Sequence, residues 1–231
     1  MAQLTLHGDP PIEVALRRSA RAKRLSLRVS ALDGRVTLTL PLRVPEREAH
    51  AFAREKESWL RGHLDARPAQ MRPVFGGVLP VDGHPLPIRP GTGRAARVEE
   101  GAIMVPGAEA ELPVRLRALL QSLARERLIA ASDRHAQALG RRYSRISLRD
   151  PRSRWGSCSA AGGLMYSWRL VMAPPEVLDY VAAHEVAHLA QMNHSPAFWA
   201  VVARLCPGYE APRRWLRREG AGLHRYVFEK R

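Results

Sequence analysis

His184-Glu185-Val186-Ala187-His188-Leu189-Ala190-Gln191-Met192-Asn193-His194 is the stretch from which the rest of the chain is best read. On a helix, positions four apart lie one above the other, so His184 and His188 present their imidazoles to one point. Two nitrogens from one helical turn match two corners of a tetrahedral zinc site. Glu185 points elsewhere and suits a catalytic base better than a ligand. The intervening Val186, Ala187 and Leu189 are apolar, as a buried helix shielding one side of a metal requires. A catalytic zinc takes three protein ligands and keeps a fourth corner open. His194 lies beyond the expected helix end, and a left-handed turn at Asn193 would bring it back as the third. With 9 histidines in 231 residues, a chance H-E-x-x-H with a well-placed third histidine is expected in roughly one such chain in a thousand.

Outward from this stretch the pattern is mixed helix and strand. Pro174-Pro175-Glu176 opens the helix that runs through His188. Pro196 starts a second, reaching about Cys206, and a third spans roughly Ala211 to Glu219 before Gly220. Upstream, Ile146-Ser147-Leu148 and Leu164 to Met172 read as strands flanking Arg154-Trp155-Gly156-Ser157-Cys158-Ser159. From Val114 to Leu139, leucines at helical spacing predict a long amphipathic helix that stops near Gly140. Gly107 to Pro113 is the expected junction.

Before the junction the texture is β-rich. Ile12 to Leu16 alternates, and Leu25 to Val29 with Val36 to Leu40 predicts a hairpin around Asp33-Gly34. Pro45 and Glu46 begin a helix to about Leu64, with Ala49, Phe52, Ala53 and Leu60 on its apolar side. Short strands come next at Val78–Val81, Leu86–Ile88 and Ile103–Val105. The expected architecture is α+β, with a β-rich N-terminal part over 1–110 and a metallohydrolase domain over 111–231.

Composition narrows the function classes. Apolar residues make up 45% and charged residues 26%, so a packed core is expected. No apolar run approaches the roughly 20 residues of a membrane span, and Met1 to Thr5 lacks the start of a signal peptide. The two cysteines, Cys158 and Cys206, exclude a four-Cys zinc site and a disulfide scaffold. Both are expected to pack. A cytoplasmic protein is the simplest expectation. The net charge of +15 invites weak, non-specific nucleic-acid binding. Lysine occurs only at Lys23, Lys56 and Lys230, however, and an arginine excess beside abundant Ala, Gly and Pro also reflects codon usage in a GC-rich genome.

A hydrolytic site also needs a group to hold developing negative charge. Arg154, Tyr166, Tyr209 and His224 are candidates from sequence, and Trp155, in an expected loop, is a candidate substrate contact. The other large aromatics, Trp168, Phe198, Trp199 and Trp215, read as core. Glu210 and Glu219 are later glutamates of the kind some zinc enzymes use as a third ligand, which His194 makes unnecessary.

Arg154 to Ser159, Trp168-Arg169-Leu170-Val171, Ala173-Pro174-Pro175 and His184 to Trp199, in that order, resemble the YgjP-like metallopeptidase family. This is a bacterial zincin-like group, more distantly similar to SprT-like and WLM-type proteases. The resemblance is densest from Arg145 to Leu216. It implies a zincin-like domain with one zinc per chain on His184, His188 and His194, Glu185 as general base, and a peptide or protein substrate. The ligand spacing equals that of metzincins, but their spacer glycine is Gln191 here and no Met-turn is evident downstream. Zinc with a carboxylate base would serve a phosphoanhydride equally, so a pyrophosphohydrolase acting on a nucleoside triphosphate such as UTP is the rival enzyme. A nucleic-acid-associated protein of SprT-like type is the rival from another class, although the chain carries no recognisable nucleic-acid module.

Overall fold

The computed structural model describes residues 3–30, 34–65 and 69–228, and the chain divides into two compact units, Met1–Ala69 and Gln70–Arg231. In the first unit, β1 (Gln3–Leu6), β2 (Ile12–Ser19), β3 (Ser26–Val29) and β4 (Val36–Pro41) form a sheet of order β1-β2-β4-β3. The expected hairpin is present as the antiparallel β3–β4 pair. Gly34 turns with φ 70, whereas Asp33 lies outside the described residues. β1 was not expected. Its short alternation buries Leu4 and Leu6 against β2, which also runs parallel to β4. The helix expected over 45–64 is two helices, α1 (Glu46–Glu55) and α2 (Glu57–Asp65), interrupted at Lys56 with φ −95 and ψ 9. Ala49, Ala53 and Leu60 nevertheless share one core with the sheet.

The second unit contains the motif. β5 (Val78–Val81), β6 (His84–Pro90), β7 (Arg97–Glu99) and β8 (Ala102–Val105) make a sheet of order β5-β6-β8-β7. The boundary at residue 110 is therefore displaced. Leu79, Val81, Ile88, Ile103 and Val105 are buried in the same core as Leu112, Leu116 and Leu120, so burial joins these strands to the helix after them.

That long helix is α3 (Leu112–Leu139), and it ends where Gly140 takes the left-handed conformation, φ 68, that favours glycine. Its buried stripe runs through Leu116, Leu120, Ala124, Leu128 and Ala131. A three-stranded sheet comes next, β9 (Arg145–Arg149), β10 (Gly156–Cys158) and β11 (Gly163–Ser167), in the order β10-β11-β9, with β10 at its edge. The strand expected to reach Met172 stops at Ser167. The Ser167 hydroxyl accepts from the Arg169 amide and starts a 3-10 turn over Trp168–Met172, all of it buried. Turn and strand cannot be told apart in a continuous apolar run by periodicity alone.

Three helices complete the unit: α4 (Pro175–Ala187), α5 (Pro196–Leu205) and α6 (Glu210–Glu219). A 3-10 segment, Gly220–Arg225, then leads to Tyr226, which bridges to Met71. Among the described residues, no helix is long and apolar enough to cross a membrane.

Arg169 ties this C-terminal segment down. Its buried guanidinium donates to Asp150 Oδ1 and Oδ2 at 2.7 and 3.0 Å, and to the Leu223 and Tyr226 carbonyls at 3.0 Å each. It also lies 4.6 Å from the Trp168 ring centroid. Arg169→Met keeps the aliphatic stem and strands these acceptors, so it should lower the unfolding free energy by about 2–4 kcal/mol. Arg218→Met, which removes only an exposed pair with Glu219, should be nearly neutral. Urea denaturation of both variants measures the difference.

Candidate active site

α4 carries His184 and Glu185 within its last turn, and His188 caps it in helical conformation. The three residues after His188 continue as tight turns on the Val186 and Ala187 carbonyls. Asn193 then turns the chain back, although not as expected. Its φ is not positive; instead its side-chain oxygen accepts from the Ser195 amide at 3.2 Å. Ser195 in turn caps α5, its hydroxyl accepting from the Phe198 amide at 3.4 Å. Two successive side-chain caps thus return His194 to α4.

The result is one cluster. Ligand nitrogens of His184, His188 and His194 all lie within 4.8 Å of one another, and the Nε2 atoms of His184 and His194 are 3.1 Å apart. Two nitrogens bound to zinc at about 2.0–2.1 Å with tetrahedral angles stand roughly 3.3–3.4 Å apart, so the spacing suits a metal of that size. Phe198, fully buried, floors the cluster with ring centroids 4.5 to 4.9 Å from the three imidazoles. His188 Nδ1 donates to the Gln191 carbonyl at 3.0 Å, which leaves the Nε2 lone pair as the one that could hold a metal. That backbone acceptor has no sequence signature. His184 Nδ1 is buried without a partner among the described residues. Burial, then the neighbouring His188 and His194 and the Arg213 guanidinium, push the His184 pKa down to about 3. Burial likewise lowers that of His188, so both present lone pairs at neutral pH.

Glu185 is 5% exposed and lies against β10. A methyl group at Gly156 would come within 2.6 Å of its Cγ and Oε1, so this close approach requires glycine. Burial raises the Glu185 pKa to about 8, with Arg154 opposing the rise. The cavity above these groups has a volume of about 600 Å³. Arg154, Trp155, Gly156 and Cys158 line it on one side, and Tyr180, His184 and Glu185 on the other.

Of the sequence candidates, Arg154 and Trp155 are at the cavity, and three are not. Tyr166 is fully buried, its hydroxyl 3.0 Å from Ser132 Oγ. Tyr209 stacks between Trp199 and Tyr180, away from the lining. His224 sits behind Trp155, ring centroids 5.2 Å apart, its side chain 7% exposed. Tyr166 and the His224 side chain are buried by other elements, and Tyr209, half-buried, is taken up by the aromatic stack. Glu210 and Glu219 are outside the histidine cluster. Cys158 also lines the cavity, but burial and then the nearby Glu185 raise its thiol pKa, and it is not part of the cluster. Tyr180, not singled out in sequence, is at the wall, 6% exposed. Its place one turn before His184 was the available signal.

A pocket in which three imidazoles face one point beside a buried carboxylate belongs to the metal-dependent hydrolases. The sequence model of the YgjP-like family, described as a YgjP-like metallopeptidase domain, matches residues 23–219, and the chain belongs to this family. The fold is accordingly the expected α+β, zincin-like one. A partial likeness exists to the crystal structure of abylysin, the metallopeptidase zymogen of Pyrococcus abyssi. The TM-score is 0.36, with 20% identity over 40% of this chain and 95% of that one. No curated protein matches the chain at a significant level.

The Glu185 environment makes two outcomes testable. A carboxyl whose folded pKa is raised stabilises the fold below the unfolded value and loses that contribution as pH rises through the folded one. Metal-free protein should therefore lose stability between about pH 4.5 and pH 8. Glu185→Gln should flatten this loss, as urea denaturation of chelator-treated samples across that range will test. Gly156→Ala should displace the carboxylate while leaving the histidines in place. Turnover should fall about 10²-fold with bound metal unchanged; metal analysis beside the activity assay separates the two.

Proposed function

We propose that this protein is a zinc-dependent peptidase that binds zinc through His184, His188 and His194 and uses Glu185 as general base. The observation that carries the reading is the position of Glu185, clamped against Gly156 beside a cluster of three ligand nitrogens within 4.8 Å. An all-imidazole donor set with nitrogens this close suits zinc in tetrahedral geometry. Zinc there would supply Lewis acidity, lowering the pKa of water in the site toward about 7 and polarising the scissile carbonyl.

The remaining work falls to the chain's own groups. Glu185 takes a proton from the attacking water at a carboxylate oxygen and returns it to the leaving nitrogen. The Gln191 carbonyl holds the His188 ring in the tautomer that a ligand needs. Trp155 and Arg154 present an apolar face and a charged donor to the substrate at the cavity wall.

The same wall weighs against the phosphoanhydride rival. Among the described lining residues Arg154 is the one permanent cation, whereas polyphosphates are usually met by several charged donors and a magnesium ion.

Zinc-loaded protein should carry one zinc per chain, and the double change His184→Ala with His188→Ala should abolish binding. Glu185→Gln should keep zinc and melting temperature while turnover falls about 10²–10⁴-fold. Metal analysis, thermal melts and a panel of peptides and nucleoside triphosphates on the same preparations check all of this. Turnover of triphosphates alone would install the rival reading. Full activity of Glu185→Gln with normal zinc would remove Glu185 from the mechanism.

A further inference from the structure

A peptidase site of the kind proposed above needs a second electrophile, because the carbonyl oxygen gains a full negative charge as water adds to the carbon. The sequence candidates do not meet the need equally. Tyr166 and His224 are committed elsewhere, Tyr209 is outside the cavity lining, and Arg154 is exposed and lacks an ion pair among the described residues to hold it.

Tyr180 differs from all of these. It stands four residues before His184 on α4, so the phenol and the imidazole share one helix face, their rings edge to face with centroids 5.9 Å apart. Tyr209 stacks on the phenol at 6.2 Å with the planes 16° apart, and Tyr209 is itself stacked on Trp199 at 5.4 Å. The ring is thereby fixed between a metal-site histidine and an aromatic column, and 6% of the residue is exposed. A tyrosine so deeply buried ordinarily gives its hydroxyl a protein partner. Here no hydrogen bond joins the Tyr180 hydroxyl to any other described residue, and Tyr180 lines the cavity together with His184 and Glu185.

We propose that the Tyr180 hydroxyl is a catalytic residue of this site, donating a hydrogen bond to the substrate oxygen as it becomes an oxyanion. This rests on the peptidase reading. Water forms the new C–O bond and loses its proton to Glu185, while the carbonyl π pair moves onto oxygen and is met by the phenol O–H. When the C–N bond breaks, that pair returns to carbon and the nitrogen takes the proton from Glu185. Tyr180 keeps its proton throughout, and its ring holds the donor in place before substrate arrives.

The experiment compares zinc-loaded wild type, Tyr180→Phe, Tyr143→Phe and Glu185→Gln on one peptide that the wild type cleaves. Tyr180→Phe removes a single oxygen. It should lower kcat about 10²–10³-fold with KM within about threefold, and with zinc content and melting temperature unchanged. Tyr143→Phe removes a hydroxyl that donates to Asp133, outside the cavity lining, and should behave as wild type. A second measurement needs no turnover: calorimetric binding of a phosphinic tripeptide analogue, whose tetrahedral oxygens stand in for the oxyanion. Tyr180→Phe should weaken it at least tenfold while binding of the matching amide peptide to Glu185→Gln is unaffected by adding Tyr180→Phe. Undiminished kcat with undiminished phosphinate affinity in Tyr180→Phe, beside an inactive Glu185→Gln, would overturn the role of Tyr180 and leave the peptidase reading standing. An active Glu185→Gln, or a wild type that neither cleaves peptides nor binds the phosphinate, would overturn the peptidase reading and this inference with it.

Discussion

α4 has to be buried and polar at once. Val177, Val181, Ala182, Ala183, Val186 and Ala187 are sealed into the core, yet His184, Glu185 and His188 stand among them on the same helix. Burying a carboxylate and imidazoles without partners is costly, and groups in that position shift toward their neutral forms. The directions found here agree: the histidine pKa values fall and the Glu185 pKa rises, in each case with burial as the largest cause. Neutral imidazoles converging on one point are what a cation needs, and a carboxylate that is reluctant to ionise alone gains a reason to ionise beside one. The unfavourable burial is the preparation of the site.

Neighbouring elements are shaped around that helix. Phe198 forms an apolar floor under the imidazoles and arrives there through the cap at Ser195. Gly156 gives up its side chain so that an edge strand can approach the carboxylate. Trp155 is wedged from behind, with His224 on one face and Gly220 at its indole edge, where an added methyl group would come within 3.0 Å of the ring. The C-terminal segment that supplies both is held by the Arg169 guanidinium. The wall of the cavity is thus connected through hydrogen bonds and packing to residues near the end of the described chain.

Legibility in the sequence tracked the length and regularity of each element. α3 and α4 were readable because their periodicity runs over many residues and ends on glycine or begins on proline. β1 and β7 were not. They span four and three residues, too few to establish alternation, and exist through pairing with β2 and β8. The break at Lys56 and the 3-10 turn at Trp168 have the composition of the helix and strand they interrupt. The unit boundary was misplaced because texture changes at Gly107, whereas burial joins β5, β6 and β8 to the core of α3.

By itself the sequence determined the elements that depend on near neighbours in the chain. A helical turn puts His184 and His188 on one face and Glu185 off it whatever surrounds them, and family membership could be read from the order of short motifs. Tertiary structure decided everything that depends on residues far apart in the chain. The Gln191 carbonyl orients His188, and Gly156, nearly thirty residues away, places Glu185. Tyr166 is withdrawn by Ser132 of α3, and Tyr180, unremarked in the pattern, reaches the cavity. A tyrosine's place in the sequence says which way its helix face points. Whether its hydroxyl meets a serine, an aromatic ring or an open cavity depends on which other elements pack there, and close packing decides that only when the whole core has assembled.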